Sequence, residues 1–312
     1  MTESRRLTPE DLRGSAARRR KEAIVRAMFL VAATISVLIS ALIILSLAGE
    51  AWNFISGVEL GSLRSDGWFP RREMFDIPTI VAGTLVIAGI GLAVAVPLGL
   101  GAAVYLAEYA STRLRGWLKP ILEMLAAVPS VVLGFFALVV ISPTIAQPVC
   151  DILGASPIFS MGAAGLAVGI LITPLVASIA EDAMYAVPSS LREASYGLGA
   201  KKRTTSIRIV FPAAISGIMA AIIVGASRAI GETMIVAMAA GGTGGSLFQL
   251  NPCQSGQTMT AAITALATGS DQVRGADLAY PSLFFVGILL FFFTLILNTI
   301  SERFVRRVRL KY

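Results

Sequence analysis

The chain has 312 residues, of which 55% are hydrophobic and 14% are charged, and its formal net charge is +7. Its mean hydropathy of +0.77 excludes the soluble domains that the length alone would allow and predicts an integral membrane protein. Histidine is absent from the sequence, which excludes His-based catalysis and the usual zinc sites.

Six apolar runs have about 20 residues or more, the length that spans a bilayer as a helix. They lie at about 27–48, 78–105, 121–141, 160–182, 212–240 and 281–301. We predict an all-α membrane protein with six transmembrane helices, made of a basic tail at 1–26 and a helical domain at 27–311. An uncleaved first helix is favoured over a cleaved signal peptide, because the first run exceeds the usual length of about 7–15 apolar residues.

Single prolines interrupt three of these runs, at Pro97, Pro129 and Pro174. Transmembrane helices tolerate proline because neighbouring helices and local adjustments satisfy the freed backbone groups. We therefore predict kinks at the three positions rather than helix ends.

Most of the 26 Lys and Arg residues lie in four segments, namely 1–26, 106–120, 183–211 and 303–311. By the positive-inside rule, these segments and both termini are cytoplasmic. The segments predicted on the external side are 49–77, 142–159 and 241–280. The positive charge is thereby attributed to topology and to contact with acidic lipid headgroups, and no nucleic-acid partner is expected.

The two cysteines, Cys150 and Cys253, fall in two of the external segments. They could form a disulfide in an oxidising compartment, although two unlinked thiols are an equally good interpretation. The stretch 256–269 could form a short helix after the glycine-rich 241–245. Whether it lies on the surface or re-enters the membrane is left open.

The segment 183–211 predicts a short cytoplasmic helix. Ser189 or Ser190 could cap its start, with Glu193 in the first turn. Gly199 would end this part of the loop, and Pro212 would lie near the first turn of helix five. A soluble partner could grip such a helix, but an ordinary solvated turn is the alternative that physics alone favours.

The same segment resembles the EAA loop of ABC importer permeases, in which Glu-Ala-Ala is followed by a glycine and then by Ile-x-Leu-Pro. The matching residues are Glu193, Ala194, Ser195, Gly199, Ile209, Phe211 and Pro212. Ser195 replaces Ala and Phe211 replaces Leu, both conservatively. The resemblance implies a type I importer permease in which this coupling loop inserts into a cleft of a cytoplasmic ATPase subunit and transmits its closure.

Helix five carries two ionisable residues, Arg228 and Glu232, which are usually functional inside a membrane. Four residues apart on one helix face, they could touch across a turn as a purely structural pair. Alternatively, Arg228 offers its planar fork to a phosphate while Glu232 holds the fork in position. Glu232 could also accept a hydrogen bond from protonated phosphate and repel sulfate. Ser227 and Thr233 flank this pair as further candidates for the pathway.

Two stretches, RAIGETM at 228–234 and LEMLAAVPSVVLGFF at 122–136, resemble the phosphate-specific branch of these permeases, and the first of its two paired chains. The resemblance implies phosphate as the transported ligand, a second phosphate permease chain in a heterodimer, two cytoplasmic ATPase subunits, an external phosphate-binding protein and a bacterial inner membrane. The chain has no GxxxxGK[ST] loop, so ATP and Mg are expected on the ATPase subunits, and no cofactor is expected here.

Two alternatives remain open. One is a permease of the same architecture for sulfate, molybdate or a phosphonate, since Arg228 would suit several oxyanions. The other is an ATP-independent anion carrier in which Arg228 and Glu232 titrate or gate. An enzyme is the weakest interpretation, because the sequence shows no pairing of a nucleophile with a base.

Overall fold

The computed structural model describes residues 16–155, 158–242, 244–269 and 277–308. The chain divides into two units, Met1–Gly49 and Glu50–Tyr312. Helix α1 covers Ala16–Gly57, so the predicted basic tail is helical from Ala16, and its earlier part lies outside the described residues. The stretch Arg20–Gly57 is long and apolar enough to cross a membrane.

Twelve further helices follow within the described residues: α2 (Ile77–Val104), α3 (Thr112–Ala126), α4 (Ser130–Phe136), α5 (Gln147–Ile152), α6 (Met161–Tyr185), α7 (Ser189–Gly197), α8 (Lys202–Thr205), α9 (Phe211–Ala213), α10 (Ile215–Ile230), α11 (Met234–Ala239), α12 (Met259–Ala267) and α13 (Ala279–Val308). Three π-helical stretches connect some of them, at Tyr105–Tyr109, Ala137–Ala146 and Ser206–Val210. The short strands are β1 (Gly67–Phe69), β2 (Met74–Phe75) and β3 (Ser246–Leu247).

The all-α membrane fold predicted from composition is confirmed. Five helical stretches are long and apolar enough to span a membrane: Arg20–Gly57, Ile77–Tyr109, Ser130–Ile152, Met161–Tyr185 and Ala279–Arg303. A sixth span results if Lys202–Ala213 and Ile215–Ile230, which are bent by 70°, count as one. The cytoplasmic placement of the termini stays a prediction.

The third span lies further along the chain than 121–141. Helix α3 ends at Ala126, and Pro129 occupies the N-cap position of α4, so the predicted kink at Pro129 is wrong. The residue before a proline avoids the helical conformation, which favours a break here. The span covers Ser130–Ile152, and the connection predicted at 142–159 is therefore helical over most of its length. Pro97 and Pro174 do lie inside helices.

Helix five is not continuous over 212–240 as predicted. Helix α10 ends at Ile230 and α11 begins at Met234. Gly231 follows the end of α10, and glycine weakens a helix because it has the most backbone freedom to lose. The backbone N–H of Ile235 donates to Oε1 of Glu232 at 3.4 Å, which satisfies one free donor at the new helix start.

The centre of the second unit is the close packing of α2 against α6. A Cβ on Gly165 of α6 would come within 2.7 Å of the Ile90 Cβ, and one on Gly169 within 2.8 Å of the Val94 Cβ. Small residues of this kind let membrane helices approach closely. The two helices therefore form a tightly packed pair.

The segments between spans build a small folded region of their own. Strand β1 pairs antiparallel with β2 and β3, and Trp68 and Phe75 are buried there. Helix α12 forms within the stretch 256–269 as predicted, and its Met259 and Leu266 are fully buried. Cys150 and Cys253 form a disulfide with a Cα–Cα distance of 5.5 Å.

Candidate functional site

The coupling loop, residues 183–211, is built around α7. Pro188 occupies the N-cap position and Ser189 is the first helical residue, so the predicted serine cap is wrong and Glu193 lies beyond the first turn. Proline fits a helix start because its ring fixes φ and it has no N–H to satisfy. Gly199 adopts a φ of +77°, a left-handed conformation that glycine reaches without strain. The chain turns back at this glycine.

The motif residues of the loop divide into an outer and an inner set. Glu193 and Ala194 are exposed, and Leu198 is 90% exposed. Ser195 is buried, and its Oγ lies 2.9 Å from the Thr205 Oγ1, a bond that the family's alanine could not make. Of the remaining motif residues, Ile209 and Phe211 are partly buried and Pro212, in the first turn of α9, is exposed.

A second part of the loop, missed in the sequence, is an ion pair between α7 and the end of α2. Arg192 donates from Nε at 3.1 Å and from Nη2 at 2.9 Å to Oε1 of Glu108. The Glu108 side chain is only 3% exposed. The two residues are 84 positions apart, so their pairing was invisible in one sequence. The contact fixes α7 to the end of the span Ile77–Tyr109.

Basic residues of α3 neutralise the acidic end of α6. The buried Glu181 carboxylate pairs with Arg115 at 2.5 Å and with Lys119 at 2.9 Å. Lys119 also pairs with Asp182. Burial works to lower the pKa of Lys119, but hydrogen bonds and charges from Asp182 and Glu181 outweigh it and raise this pKa above its ordinary value.

The broken helix places Arg228 and Glu232 in different surroundings. Arg228 is exposed in the last turn of α10, where a cation interacts favourably with the helix dipole. Glu232 is 5% exposed, and Thr260 of α12 donates to its backbone carbonyl at 2.8 Å. Because the helix ends between them, the predicted contact across a turn is wrong. None of the ion pairs among the described residues joins the two.

The two flanking residues serve the packing of the helices. Ser227 donates from Oγ to Oδ1 of Asn298 at 2.8 Å, which ties α10 to α13. Thr233 donates from Oγ1 to the Gly231 carbonyl at 3.3 Å, inside the break. Within the described ranges, no hydrogen bond or ion pair engages the Arg228 side chain. Its guanidinium fork is therefore free to bind an oxyanion.

Comparison with known proteins identifies the family of this chain. The sequence profile described as "Binding-protein-dependent transport system inner membrane component" matches residues 95–310. The chain belongs to this family. This permease has curated relatives of similar length. It is 32% identical over 284 residues to the phosphate transport system permease protein PstC of Haemophilus influenzae, covering 86% of this chain and 88% of the relative.

A second relative and a solved structure agree with the assignment. The permease is 30% identical over 305 residues to the phosphate transport system permease protein PstC of Mesorhizobium japonicum, covering 92% of this chain and 90% of the relative. It superposes with a TM-score of 0.62 on a bacterial ABC transporter involved in alginate import, at 17% identity over 93% of this chain and 99% of that one. The latter similarity shows the fold alone.

The predicted type I importer architecture is thereby confirmed. The permease is the membrane component of an ABC import system and resides in the inner membrane. The coupling loop and the broken helix are thus two features of a transporter subunit.

Proposed function

We propose that the permease forms the translocation pathway of an ATP-driven importer of inorganic phosphate. The observation that carries this proposal is the exposed, unengaged fork of Arg228 in an otherwise apolar helix that breaks within three residues. The relatives are named as phosphate transport permeases, and this supports phosphate over other oxyanions.

Arg228 supplies the attraction for the anion. A guanidinium matches two oxygens of a phosphate with parallel hydrogen bonds and is less strongly hydrated than an ammonium, so it suits a site that loses water during passage. Its charge persists at any physiological pH. An anion that meets it therefore exchanges hydration for a fixed pair of donors.

Glu232 shapes the site rather than pairing with Arg228. Its carboxylate caps α11 through the Ile235 N–H, and this holds the break in place. A nearby carboxylate can accept a hydrogen bond from a protonated phosphate, whereas sulfate near neutral pH has no proton to donate. The same group therefore favours phosphate and repels sulfate.

The pathway requires a second permease chain. Arg228 and the flanking Val224 are exposed on the surface of this chain, and an exposed arginine facing lipid would be costly. A second phosphate permease chain packed against this face would enclose the arginine and form the other wall. We propose a heterodimer, as the resemblance to paired chains implies.

The energy comes from partner subunits. The outer set of the coupling loop, Glu193, Ala194 and Leu198, offers an exposed surface with a protruding apolar side chain, suited to insertion into a cleft. Two cytoplasmic ATPase subunits would bind ATP and Mg and receive this surface. An external phosphate-binding protein would deliver the anion on the opposite side.

The proposal is tested by anion competition in proteoliposomes that hold the complete complex. With ATP on the side of the membrane that carries the ATPase subunits, we expect uptake of radiolabelled phosphate. Excess unlabelled phosphate should abolish this uptake, and excess sulfate or molybdate should leave it unchanged. Uptake that sulfate or molybdate abolishes would assign the permease to another oxyanion. Uptake that continues without ATP would assign it to the ATP-independent carriers.

A further inference from the structure

Glu108 contacts both arms of the coupling loop. It lies in the π-helical stretch Tyr105–Tyr109 that continues α2. From the outgoing arm, Arg192 donates twice to its Oε1, at 3.1 and 2.9 Å. From the returning arm, the Ser206 Oγ lies 3.4 Å from its Oε2. The neighbouring Tyr109 ring lies 5.2 Å from the Lys202 ammonium. The end of α2 thus holds the loop on both sides.

Arg192 extends the same contact to a third element. Its Nη1 donates to the Val187 carbonyl at 2.6 Å, and its Nη2 donates to the Met184 carbonyl at 2.8 Å. These carbonyls belong to the end of α6 and the turn that follows it, where backbone acceptors lack helical partners. One guanidinium therefore joins α7 to the ends of α2 and α6.

The burial of this cluster opposes the separation of Glu108 and Arg192. The side chains of Glu108 and Arg192 are 3% and 18% exposed. Separating them would leave a charge without a partner in a region with little water, which is unfavourable. Because α2 and α6 are themselves closely packed, a displacement of α7 cannot be absorbed locally and is passed to both spans.

We infer that Glu108 and Arg192 are positioning residues that transmit the movement of the coupling loop to α2 and α6. This inference rests on the proposed function, since it assumes that ATPase subunits move the loop. The outer set of the loop is exposed and binds the partner, and the Glu108–Arg192 pair converts that binding into movement of the membrane helices.

The pair can be separated experimentally from docking of the ATPase subunits. The residues for docking are exposed, whereas Glu108 is buried and Arg192 is partly buried. In Glu108→Gln and Arg192→Gln, the ATPase subunits should still bind and hydrolyse ATP, but less of that hydrolysis should move anion. We expect phosphate transported per ATP hydrolysed to fall about fivefold or more, the scale of a lost coupling between sites.

The measurement uses the complete complex in proteoliposomes, with co-purification of the ATPase subunits, ATP hydrolysis and phosphate uptake recorded for each variant. Matched controls are Glu123→Gln and Arg113→Gln, which remove the same charges from exposed positions on α3. Both controls should retain wild-type transport per ATP. Wild-type complex that takes up no phosphate would contradict the proposed function, whereas unchanged transport per ATP in the pair variants would overturn the positioning role alone.

Arg192→Lys guards against a variant that does not assemble. Lysine keeps the buried charge next to Glu108 but lacks the fork that reaches the two carbonyls at the same time. We expect normal assembly and a transport-to-ATP ratio between those of wild type and Arg192→Gln. Loss of the ATPase subunits from this variant, or parallel loss of hydrolysis and uptake at a constant ratio, would show a structural role and overturn the inference.

Discussion

Arg228 and Glu232 show how far single residues can be interpreted from sequence. Their presence in an apolar run marked them as candidates, because ionisable groups in membrane helices are rarely there without a function. Their separate surroundings were not predictable, since the break depends on Gly231 and on the hydrogen bond from Thr260 to the Glu232 carbonyl, 28 positions away. Spacing alone assumes a continuous helix.

The ion pairs at the end of α6 also depend on tertiary contacts. The partners of Glu181, Arg115 and Lys119, come from α3 and not from the loop that follows α6. A buried carboxylate needs a positively charged partner. The sequence does not show which of many basic residues will be that partner, because the choice depends on how the helices pack.

Glu181→Gln tests the contribution of the buried carboxylate. The change leaves Arg115 without its carboxylate partner and Lys119 with Asp182 alone. We expect a loss of about 1–3 kcal/mol in stability, limited because both cations are partly solvated. The raised pKa of Lys119 keeps the contact intact through neutral pH and lets it weaken only as pH rises beyond the ordinary value of 10.5. Thermal unfolding in detergent at pH 7 measures the loss, with Glu123→Gln as the control. Equal unfolding temperatures for the two variants would contradict it.

At the scale of elements, apolar length predicted most spans but not their boundaries. The third span was expected at 121–141 and covers Ser130–Ile152. Three prolines were treated alike, although Pro97 and Pro174 lie within helices and Pro129 begins one. The difference is set by neighbouring helices that satisfy the freed backbone groups, and one sequence does not show those neighbours.

Close packing of α2 and α6 gives a prediction for Gly169→Ala. An added Cβ would come within 2.8 Å of the Val94 Cβ, so the helices must separate, and we expect a loss of about 1–3 kcal/mol in stability. Gly101→Ala in α2 is the matched control, because nothing lies within 4 Å of its added Cβ. It should be neutral or stabilising by up to about 1 kcal/mol. Thermal unfolding of both variants decides, and a stable Gly169→Ala would contradict the close approach.

At the scale of the whole molecule, the family motif was more informative than hydropathy. Gly199 and Pro212 fell at the positions of a loop that composition alone would have left as an ordinary turn. The pattern is specific because the glycine needs a left-handed φ and the proline suits a helix start. Hydropathy identified the spans, whereas the motif identified the kind of transporter.

The disulfide connects distant parts of the second unit. Cys150 and Cys253 are 103 residues apart. A disulfide between such distant residues restricts the unfolded chain and stabilises the folded protein by about 2–5 kcal/mol. The double variant Cys150→Ser with Cys253→Ser should unfold at a lower temperature. Wild type treated with a reductant should unfold at the same lowered temperature. If reductant has no effect and the double variant unfolds like wild type, the link contributes nothing to stability.

The most direct test of the account compares Arg228→Gln with Arg113→Gln in ATP-driven phosphate uptake by the complete complex. Both substitutions remove an exposed guanidinium, but only Arg228 is placed in the pathway. We predict a loss of uptake of about 100-fold or more for Arg228→Gln, the scale of about 3 kcal/mol for a charged group that binds an anion, with the complex assembled and ATP still hydrolysed. Arg113→Gln should transport like wild type. Full uptake by Arg228→Gln would contradict the account and make this arginine a structural residue.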